Sequence, residues 1–291
     1  VIPAHGAFDV EAILDACQAE SVVALTIVGD AMATPIADAL QANPDRWDLS
    51  GLFVIASGGA VLSPAVKTRL LDLLPGKMIV DGLGSSETGI MGNKTSGMGE
   101  EDGAEPRFTV GEHVQVLDDD LQPIAPGSGI VGKLARGGHV PLGYYNAPEK
   151  SAETFVEVDG KRWSLPGDLA TVEADNTVLL LGRGSTSINS GGEKIFPEEV
   201  ESALKAHPQV YDAVVVGVPD ERWGQAVTAV CQFRKGQELS AGDIKDFCRT
   251  QIAAYKLPRQ VVNCDSIKRS PAGKADYPWA RAYALDALGL Q

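Results

Sequence analysis

A glycine- and hydroxyl-rich segment follows a short apolar run in the first third of the chain. The segment DGLGSSETG (Asp81–Gly89) offers backbone N–H groups and hydroxyls to phosphate oxygens. The carboxylate oxygens of Glu87 are ligands of the kind that Mg²⁺, a hard cation, prefers. These residue types favour binding of phosphate and magnesium, and a solvated glycine turn is the alternative interpretation.

Three shorter motifs carry groups suited to the same kind of ligand. SGGA (Ser57–Ala60) has two glycines, against which a flat ligand can lie. WSLPGDLA places Asp168 after Pro-Gly, where a carboxylate can accept both hydroxyls of a ribose. KRSPAGKADY (Lys268–Tyr277) mounts Lys274 on a turn, from which its ammonium can reach an anionic centre. Taken alone, a plain turn, an Asx turn and a surface lysine are the respective alternatives.

A charged and flexible stretch, GRGSTSINSGGEKIFPEEVE, runs from Gly182 to Glu201. Arg183 precedes a run of glycine and serine, and Gly191-Gly192 lead towards a helix that Pro197 opens. Charged residues beside glycines suit a joint between two mobile domains. An ordinary linker is the alternative, although it would need neither the arginine nor the ordered helix start.

The pattern of apolar runs and helix starts predicts which elements position these motifs. Up to about residue 83, helices alternate with buried-strand runs, which indicates a parallel sheet covered by helices. Ligands bind at the carboxyl ends of such strands, where both Gly58-Gly59 and the Gly84–Gly89 loop lie. Walker A and G-x-S-x-G motifs are absent from the sequence, and no G-x-G-x-x-G motif follows a predicted strand, which argues against the simplest P-loop, hydrolase and dinucleotide sites.

The remaining chain predicts two further segments. Short β runs with glycine and proline turns from about Phe108 to Leu181 indicate a small, barrel-like β-subdomain, and a compact α+β unit follows Arg183. We therefore expect an α/β protein organised as residues 1–107, 108–183 and 184–291. The polar, glycine-rich residues 93–107 are predicted to form a loop.

Composition and charge narrow the possible partners. The chain has 291 residues, is 44% apolar and carries a net charge of −14, which argues against nucleic-acid and anionic-membrane partners. Residues 1–183 carry all of this imbalance and residues 184–291 are neutral, so a domain boundary near Arg183 is indicated. The four cysteines are scattered without pair spacing, which suggests a reduced, cytoplasmic setting. No apolar run approaches the roughly 20 residues that span a bilayer.

In this order, the motifs resemble those of the adenylate-forming superfamily of acyl-CoA synthetases, luciferases and peptide-synthetase adenylation domains. Three further stretches add to the resemblance, namely GYYNAPEKSAETF (Gly143–Phe155), VVVGVPDERWGQAVTAV (Val214–Val230) and AAYKLPRQV (Ala253–Val261). The resemblance covers about residue 52 to the end. SGGEKIFPEEVE is similar to the form found in bacterial acyl-CoA ligases for fatty or steroid-side-chain acids.

The resemblance implies an enzyme that joins a carboxylic acid to ATP, giving acyl-AMP and pyrophosphate, and then forms the CoA thioester. Its expected cofactors and partners are ATP, Mg²⁺, CoA and the acid. It implies nucleotide contacts, mostly around the adenine, for Gly58, Gly59, Ala60, Asp81, Gly82 and Leu83.

Further roles follow from the same resemblance. Ser86 would face the α-phosphate, and Glu87 would bind Mg²⁺. Asp168 and Arg183 would hold the ribose. Lys274 would be the catalytic lysine of adenylation.

The edge of the CoA site is implied as well. Gly191 and Gly192 would border the pantetheine tunnel, with Lys194 as a further cofactor-binding residue. The two half-reactions would use different faces of residues 184–291, which a rotation about Ser185 would exchange.

Several features depart from the family pattern or stay open. Leu83 stands where a tyrosine commonly stacks on adenine, Pro166 replaces a threonine, and Ser185 replaces a charged hinge residue. The chain opens at Val1 without a methionine, so we expect it to be a carboxyl-terminal portion that lacks the family's phosphate loop and full activity on its own. An acyl-AMP ligase that feeds a carrier protein, or an inactive fragment that binds only nucleotide or a partner, are the alternatives. Homodimer formation is a further possibility.

Overall fold

The computed structural model describes residues 8–97, 105–237, 239–270 and 272–290. These residues form two compact units. The first unit contains residues 8–83, 93–97 and 272–274, and the second contains residues 84–92, 105–237, 239–270 and 275–290.

The elements are numbered in chain order. The helices are α1 (Val10–Ala19), α2 (Gly29–Ala42), α3 (Pro64–Leu73), α4 (Pro148–Thr154), α5 (Pro197–Lys205), α6 (Ala241–Cys248) and α7 (Tyr277–Ala287). The strands up to residue 137 are β1 (Ala24–Ile27), β2 (Val54–Gly58), β3 (Met78–Ser85), β4 (Gly89–Gly97), β5 (Arg107–Val110), β6 (Val114–Leu117) and β7 (Gly132–Gly137). The later strands are β8 (Phe155–Val158), β9 (Lys161–Ser164), β10 (Asp168–Val172), β11 (Val178–Arg183), β12 (Ile188–Ser190), β13 (Glu193–Ile195), β14 (Val210–Asp220), β15 (Gly224–Phe233) and β16 (Gln260–Asn263).

The first unit is built on the parallel strands β1, β2 and β3, paired in that order. α1, α2 and α3 bury their apolar stripes against these strands in a single core, which includes Leu14, Ile36, Ile55, Leu70 and Ile79. Asp9 caps α1 by accepting the Ala12 N–H at 3.1 Å. The short crossover helices bring the carboxyl ends of β2 and β3 to the same edge.

The second unit begins with an antiparallel sheet. Its strands pair in the order β5, β11, β10, β7, β9 and β8, with β6 also paired to β7. Among the described residues these strands form an open sheet. The subdomain expected to be barrel-like is therefore not a closed barrel. β10 and β11 place Asp168 directly opposite Arg183.

A second sheet in this unit is covered by helices on both faces. β14 and β15 form its long antiparallel pair, to which β12, β13 and β16 are added. Alternate residues of β14 face opposite sides, because side chains alternate along a strand. Ala213 and Val215 pack with α5 and α6, whereas Val214 and Val216 pack with α7.

The mixed α/β fold class expected from the sequence is confirmed. The expected loop over residues 93–107 is only partly right, because residues 93–97 belong to β4 and residue 107 begins β5; residues 98–104 lie outside the described part of the chain. Within that part, no helix has both the length and the apolar character needed to cross a bilayer. The predicted boundaries at about residues 107 and 183 stay a prediction.

Candidate functional site

The carboxyl ends of β2 and β3 form a bare backbone edge in the first unit. Gly58 lies beside Gly82 and Ser57 beside Asp81 in the parallel register. Gly59 follows with φ +80°, a left-handed conformation that favours glycine. The structure therefore brings together the glycines that the sequence assigned to nucleotide binding, and leaves their backbone uncovered by side chains of their own.

Lys274 lies at the same edge. Its Cε is 3.9 Å from the position that a Cβ would take on Gly59. The preceding Gly273 has φ +76° and approaches Val28 and Ala31 at the start of α2. The turn predicted from the sequence thus holds the lysine stem against the glycine edge, where an ammonium can meet a bound anion.

Below this edge, Asp81 is held by a partner that the sequence did not suggest. The Lys67 ammonium of α3 donates a hydrogen bond to Asp81 Oδ2, and the two side chains are only 5% and 14% exposed. The Asp81 carboxylate is therefore occupied within the protein, which leaves its backbone to meet a ligand. Leu83 is 7% exposed and Ala60 is half-buried.

In the second unit, the turn between β3 and β4 presents Ser86 and Glu87. The turn is closed by Thr88, whose hydroxyl accepts the Ser85 N–H at 3.0 Å. Ser86 is exposed and Glu87 is half-buried. The Tyr144 hydroxyl donates to Glu87 Oε1 at 2.7 Å, and this bond is the main cause that lowers the pKa of the Glu87 carboxyl. Glu87 is thus a fixed and ionised carboxylate.

The chemistry around Glu87 fits one type of magnesium site. Within the described ranges, no three His, Cys, Asp or Glu residues cluster as a protein-only metal cage. Mg²⁺ is usually held by one or two carboxylates together with substrate phosphates. A single ordered carboxylate such as Glu87 fits that arrangement.

Asp168 and Arg183 form the next pair of expected site residues. Arg183 Nε lies 3.3 Å from Asp168 Oδ1, with side chains 51% and 16% exposed. Behind Arg183, the Glu198 carboxyl of α5 packs against Gly182, where a Cβ would come within 2.5 Å of Glu198 Oε2. Burial is the first cause that raises the pKa of the Glu198 carboxyl. The structure brings the two expected ribose ligands together on adjacent strands.

Gly191 and Gly192 form the two-residue turn between β12 and β13. Their φ values of +63° and +88° suit a tight hairpin. The Gly191 N–H donates to the Trp223 carbonyl at 2.9 Å. A Cβ on Gly191 would lie only 2.6 Å from the Trp223 ring. Lys194 is exposed on β13.

Three residues of these clusters were missed in the sequence. Lys67 lies three positions before the buried Leu70, and residues at this spacing share one face of a helix. This spacing could have indicated that Lys67 is buried. Tyr144 and Trp223 were quoted only as parts of longer stretches. Their contacts with Glu87 and Gly191 join residues far apart in the chain, so no local spacing predicts them.

Two family models match the chain. The model of the AMP-binding enzyme matches residues 1–145. The model of the AMP-binding enzyme C-terminal domain matches residues 199–274. Together they cover most of the sequence and agree with the resemblance drawn from the motifs.

Curated relatives are similar over nearly the whole chain. A 3-oxocholest-4-en-26-oate–CoA ligase of Rhodococcus rhodochrous is 54% identical over 269 residues, which are 91% of this chain and 48% of the relative. A medium/long-chain-fatty-acid–CoA/3-oxocholest-4-en-26-oate–CoA ligase of Mycobacterium tuberculosis is 52% identical over 257 residues, 88% of this chain and 47% of the relative. The chain therefore spans about half the length of the curated relatives it matches.

Solved structures agree with this likeness. The anthranilate CoA ligase AuaEII, in complex with anthranoyl-AMP, aligns with a TM-score of 0.81 at 26% identity, over 97% of this chain and 53% of that one. The amide bond synthetase McbA of Marinactinospora thermotolerans aligns with a TM-score of 0.80 at 25% identity, over 95% of this chain and 55% of that one.

Proposed function

The chain belongs to the AMP-binding enzyme family, and on this premise we propose that it serves in an ATP-dependent acyl-CoA ligase. The reaction joins a carboxylic acid to ATP, releasing pyrophosphate and giving acyl-AMP. The CoA thiol then attacks the acyl carbon, which gives the thioester and AMP. Two relatives at about half identity are named as ligases that form CoA thioesters of this kind.

One observation supports the adenylation step above the others. The Lys274 side chain lies at the glycine edge formed by Gly58, Gly59 and Gly82. Ligands bind at this end of parallel strands, and the uncovered glycine backbone admits a flat base. A cation fixed at that edge is placed to meet an anionic ligand.

Lys274 would act by electrostatic stabilisation. Negative charge builds on the oxygens of the α-phosphorus as the acid carboxylate attacks. An ammonium already held in place stabilises that charge without having to reorganise, which makes such groups effective catalysts. The same ammonium can attract the carboxylate of the acid, so it both orients the nucleophile and lowers the barrier.

The roles of the second-unit residues are proposed separately. Glu87 would bind Mg²⁺, which, when bound, neutralises charge on the departing pyrophosphate. Ser86 is exposed on the same turn and offers its hydroxyl to the α-phosphate. The Asp168 carboxylate would accept the ribose hydroxyls, while Arg183 holds that carboxylate in place.

The thioester step and its setting also belong to the proposal. We assign the edge of the CoA site to the Gly191-Gly192 turn and to Lys194, which are exposed. The medium- or long-chain fatty acids and the steroid-side-chain acid in the relatives' names define the substrate class to test first. The four cysteines are all buried and free, which supports a cytoplasmic setting.

The direct test uses the protein as its gene encodes it. The protein is incubated with ATP, Mg²⁺, CoA and either 3-oxocholest-4-en-26-oate or a fatty acid, and AMP and acyl-CoA are measured. We expect AMP and thioester in equal amounts, dependent on acid and on CoA. Adenylation that turns over only with a phosphopantetheinylated carrier protein would instead assign the acyl-AMP ligase activity, and the absence of any acid-dependent AMP would refute both.

A further inference from the structure

Tyr144 is the residue that makes the main contact with the Glu87 side chain. Its hydroxyl donates to Glu87 Oε1 at 2.7 Å, and the two residues are 57 positions apart in the chain. Neither the helix–strand pattern nor the turn around Glu87 requires this contact. The contact therefore calls for a reason beyond local folding.

Tyr144 is itself held firmly on several sides. The Ser151 hydroxyl accepts the Tyr144 N–H at 2.8 Å and donates to the Ala147 carbonyl at 2.7 Å. The Tyr144 ring packs 5.5 Å from the Phe155 ring, and Lys150 Nζ lies 4.4 Å from its centroid. With its backbone and ring fixed, the phenol oxygen has little freedom, so it can hold a partner in one position.

The residue before Tyr144 in the chain is also closely packed. A Cβ on the preceding Gly143 would come within 2.9 Å of Ser151 Oγ. The glycine therefore lets Ser151 approach the backbone closely enough to anchor Tyr144. The neighbouring Tyr145 has no such surroundings and is 93% exposed.

The Glu87 carboxylate still has room for a cation. Its Oε1 accepts the hydrogen bond of the Tyr144 hydroxyl at 2.7 Å. An ionised carboxylate has about four lone-pair positions, so a hydrogen bond from one phenol leaves positions for a metal ion. Outer partners that orient a ligating carboxylate usually change metal affinity or activity by about 10–100-fold when they are removed.

We propose that Tyr144 is a positioning residue for the magnesium ligand Glu87. Its hydroxyl would hold the carboxylate in the rotamer that binds the Mg²⁺ of the nucleotide. The Glu87 side chain is then already oriented before the nucleotide binds. This inference rests on the proposed ATP-dependent function. Lys150 and Phe155 act one step further out, by fixing the ring.

The test compares Tyr144→Phe with Tyr145→Phe in the protein as its gene encodes it. Each substitution removes one hydroxyl, but only the first removes a contact with Glu87. Binding of Mn²⁺, as a spin-active substitute for Mg²⁺, is measured by electron paramagnetic resonance with a non-hydrolysable ATP analogue. We expect Tyr144→Phe to weaken Mn²⁺ binding by about tenfold or more and Tyr145→Phe to match the unmodified protein.

A kinetic measurement separates positioning from general damage. In Tyr144→Phe, the Mg²⁺ concentration for half-maximal adenylation should rise by a similar factor, while kcat at saturating Mg²⁺ and the KM of the acid change little. In a Glu87→Asp background the shortened carboxylate no longer reaches the phenol, so Tyr144→Phe should add no further loss. An equal loss in both backgrounds would assign the effect to destabilised packing and overturn the inference.

The outcomes also separate this inference from the proposed function. If the unmodified protein binds Mn²⁺ with the analogue and both tyrosine variants bind it equally well, the role of Tyr144 is refuted and the ligase proposal stands. If the unmodified protein shows no nucleotide-dependent Mn²⁺ binding and no acid-dependent AMP, both proposals fail together.

Discussion

Lys274 is the residue on which the proposed adenylation chemistry depends most. Its stem lies against Gly59, and the turn at Gly273 holds it there. A cation on a turn is costly to order unless neighbouring groups restrict it, because lysine loses up to about 2 kcal/mol of rotamer entropy. The glycine edge supplies that restriction before substrate binds.

We predict that Lys274→Ala slows acyl-AMP formation by about 10²–10³-fold, because it removes one preorganised charge from the transition state. Thioester formation from supplied acyl-AMP should be spared, since charge on the α-phosphorus is no longer developing in that step. Rapid-quench measurements of each half-reaction check this division. Lys268→Ala is the control, because it also removes an ammonium, but from an exposed lysine whose neighbour is Asp276, 4.0 Å away. If Lys274→Ala slowed both half-reactions equally, the assigned role would be contradicted.

Glu201 makes the stability of the fold depend on pH. The residue is buried in α5 and accepts the Val215 N–H at 2.9 Å. Burial raises its pKa from 4.5 to about 7. Because the folded pKa is above the unfolded one, the stabilisation is complete below about pH 4.5 and is lost as the pH rises towards about 7.

We therefore predict that Glu201→Gln increases the free energy of unfolding near neutral and alkaline pH, by up to about 3 kcal/mol. At about pH 4.5 the gain should vanish, because the glutamate is already neutral there. Glutamine can still accept the Val215 N–H, so the shape of the site is kept. Denaturant unfolding across the pH range gives the measurement, with the exposed Glu221→Gln as control; a difference that does not vary with pH would refute the prediction.

At the scale of elements, the β12–β13 hairpin shows how two adjacent glycines differ. Both have positive φ, so any other residue there is strained. Of the two, only Gly191 lies under the Trp223 ring, and the Arg259 guanidinium carbon is 4.2 Å from the centroid of that ring. Nothing lies within 4 Å of a Cβ on Gly192.

We predict that Gly191→Ala destabilises the protein more than Gly192→Ala. The second change carries only backbone strain of about 1–2 kcal/mol, whereas the first adds overpacking of typically 1–3 kcal/mol against Trp223. Chemical denaturation of the two variants provides the comparison. Equal losses would contradict the prediction, because they would show that the indole moves aside for the added methyl group.

Regular elements could be predicted from the sequence where local chemistry decides them. The sequence signals of several elements are local: the apolar runs LFVIAS and MIVDGL for β2 and β3, Asp9 before α1, and the prolines that open α3 and α5. The structure has these elements where the signals indicate. The elements α4, β8 and β9 were not predicted, because none of them lies in a continuous apolar run like those of β2 and β3.

Side-chain partners across the fold were beyond local reasoning. Ser63 and Asp30 each stand before a helical run in the sequence, a position that predicts a helix cap. Instead, Asp30 lies in the first turn of α2, and its carboxylate accepts both the N–H and the hydroxyl of Ser63, at 2.8 and 3.1 Å. The two residues are 33 positions apart, so the chain has to fold before they can meet. The Tyr144–Glu87 and Lys67–Asp81 contacts escaped prediction for the same reason.

At the scale of the whole molecule, the net charge is distributed unevenly along the chain. Residues 184–291 are neutral, whereas all of the −14 lies in residues 1–183. Acyl-AMP and CoA are both anions, and a neutral segment presents no net repulsion to them. Two lysines of this segment have proposed roles. Lys194 and Lys274 would each attract an anionic group of the ligand next to it.

Ser185 lies at the joint between these two parts of the chain. Ser185 is exposed in a single 3₁₀ turn, Gly184–Thr186, directly after Arg183. Proline fits the φ of a 3₁₀ turn, and Gly184 has no Cβ to clash with it, so Ser185→Pro should keep the present conformation and forbid others. If rotation about Ser185 exchanges the half-reactions, the variant should retain adenylation but form thioester about tenfold more slowly or worse, a barrier increase of about 1.4 kcal/mol. Single-turnover assays of each step provide the measurement. Ser185→Ala, which keeps the φ freedom, should support both steps, and a proline variant with unimpaired thioester formation would rule out this hinge.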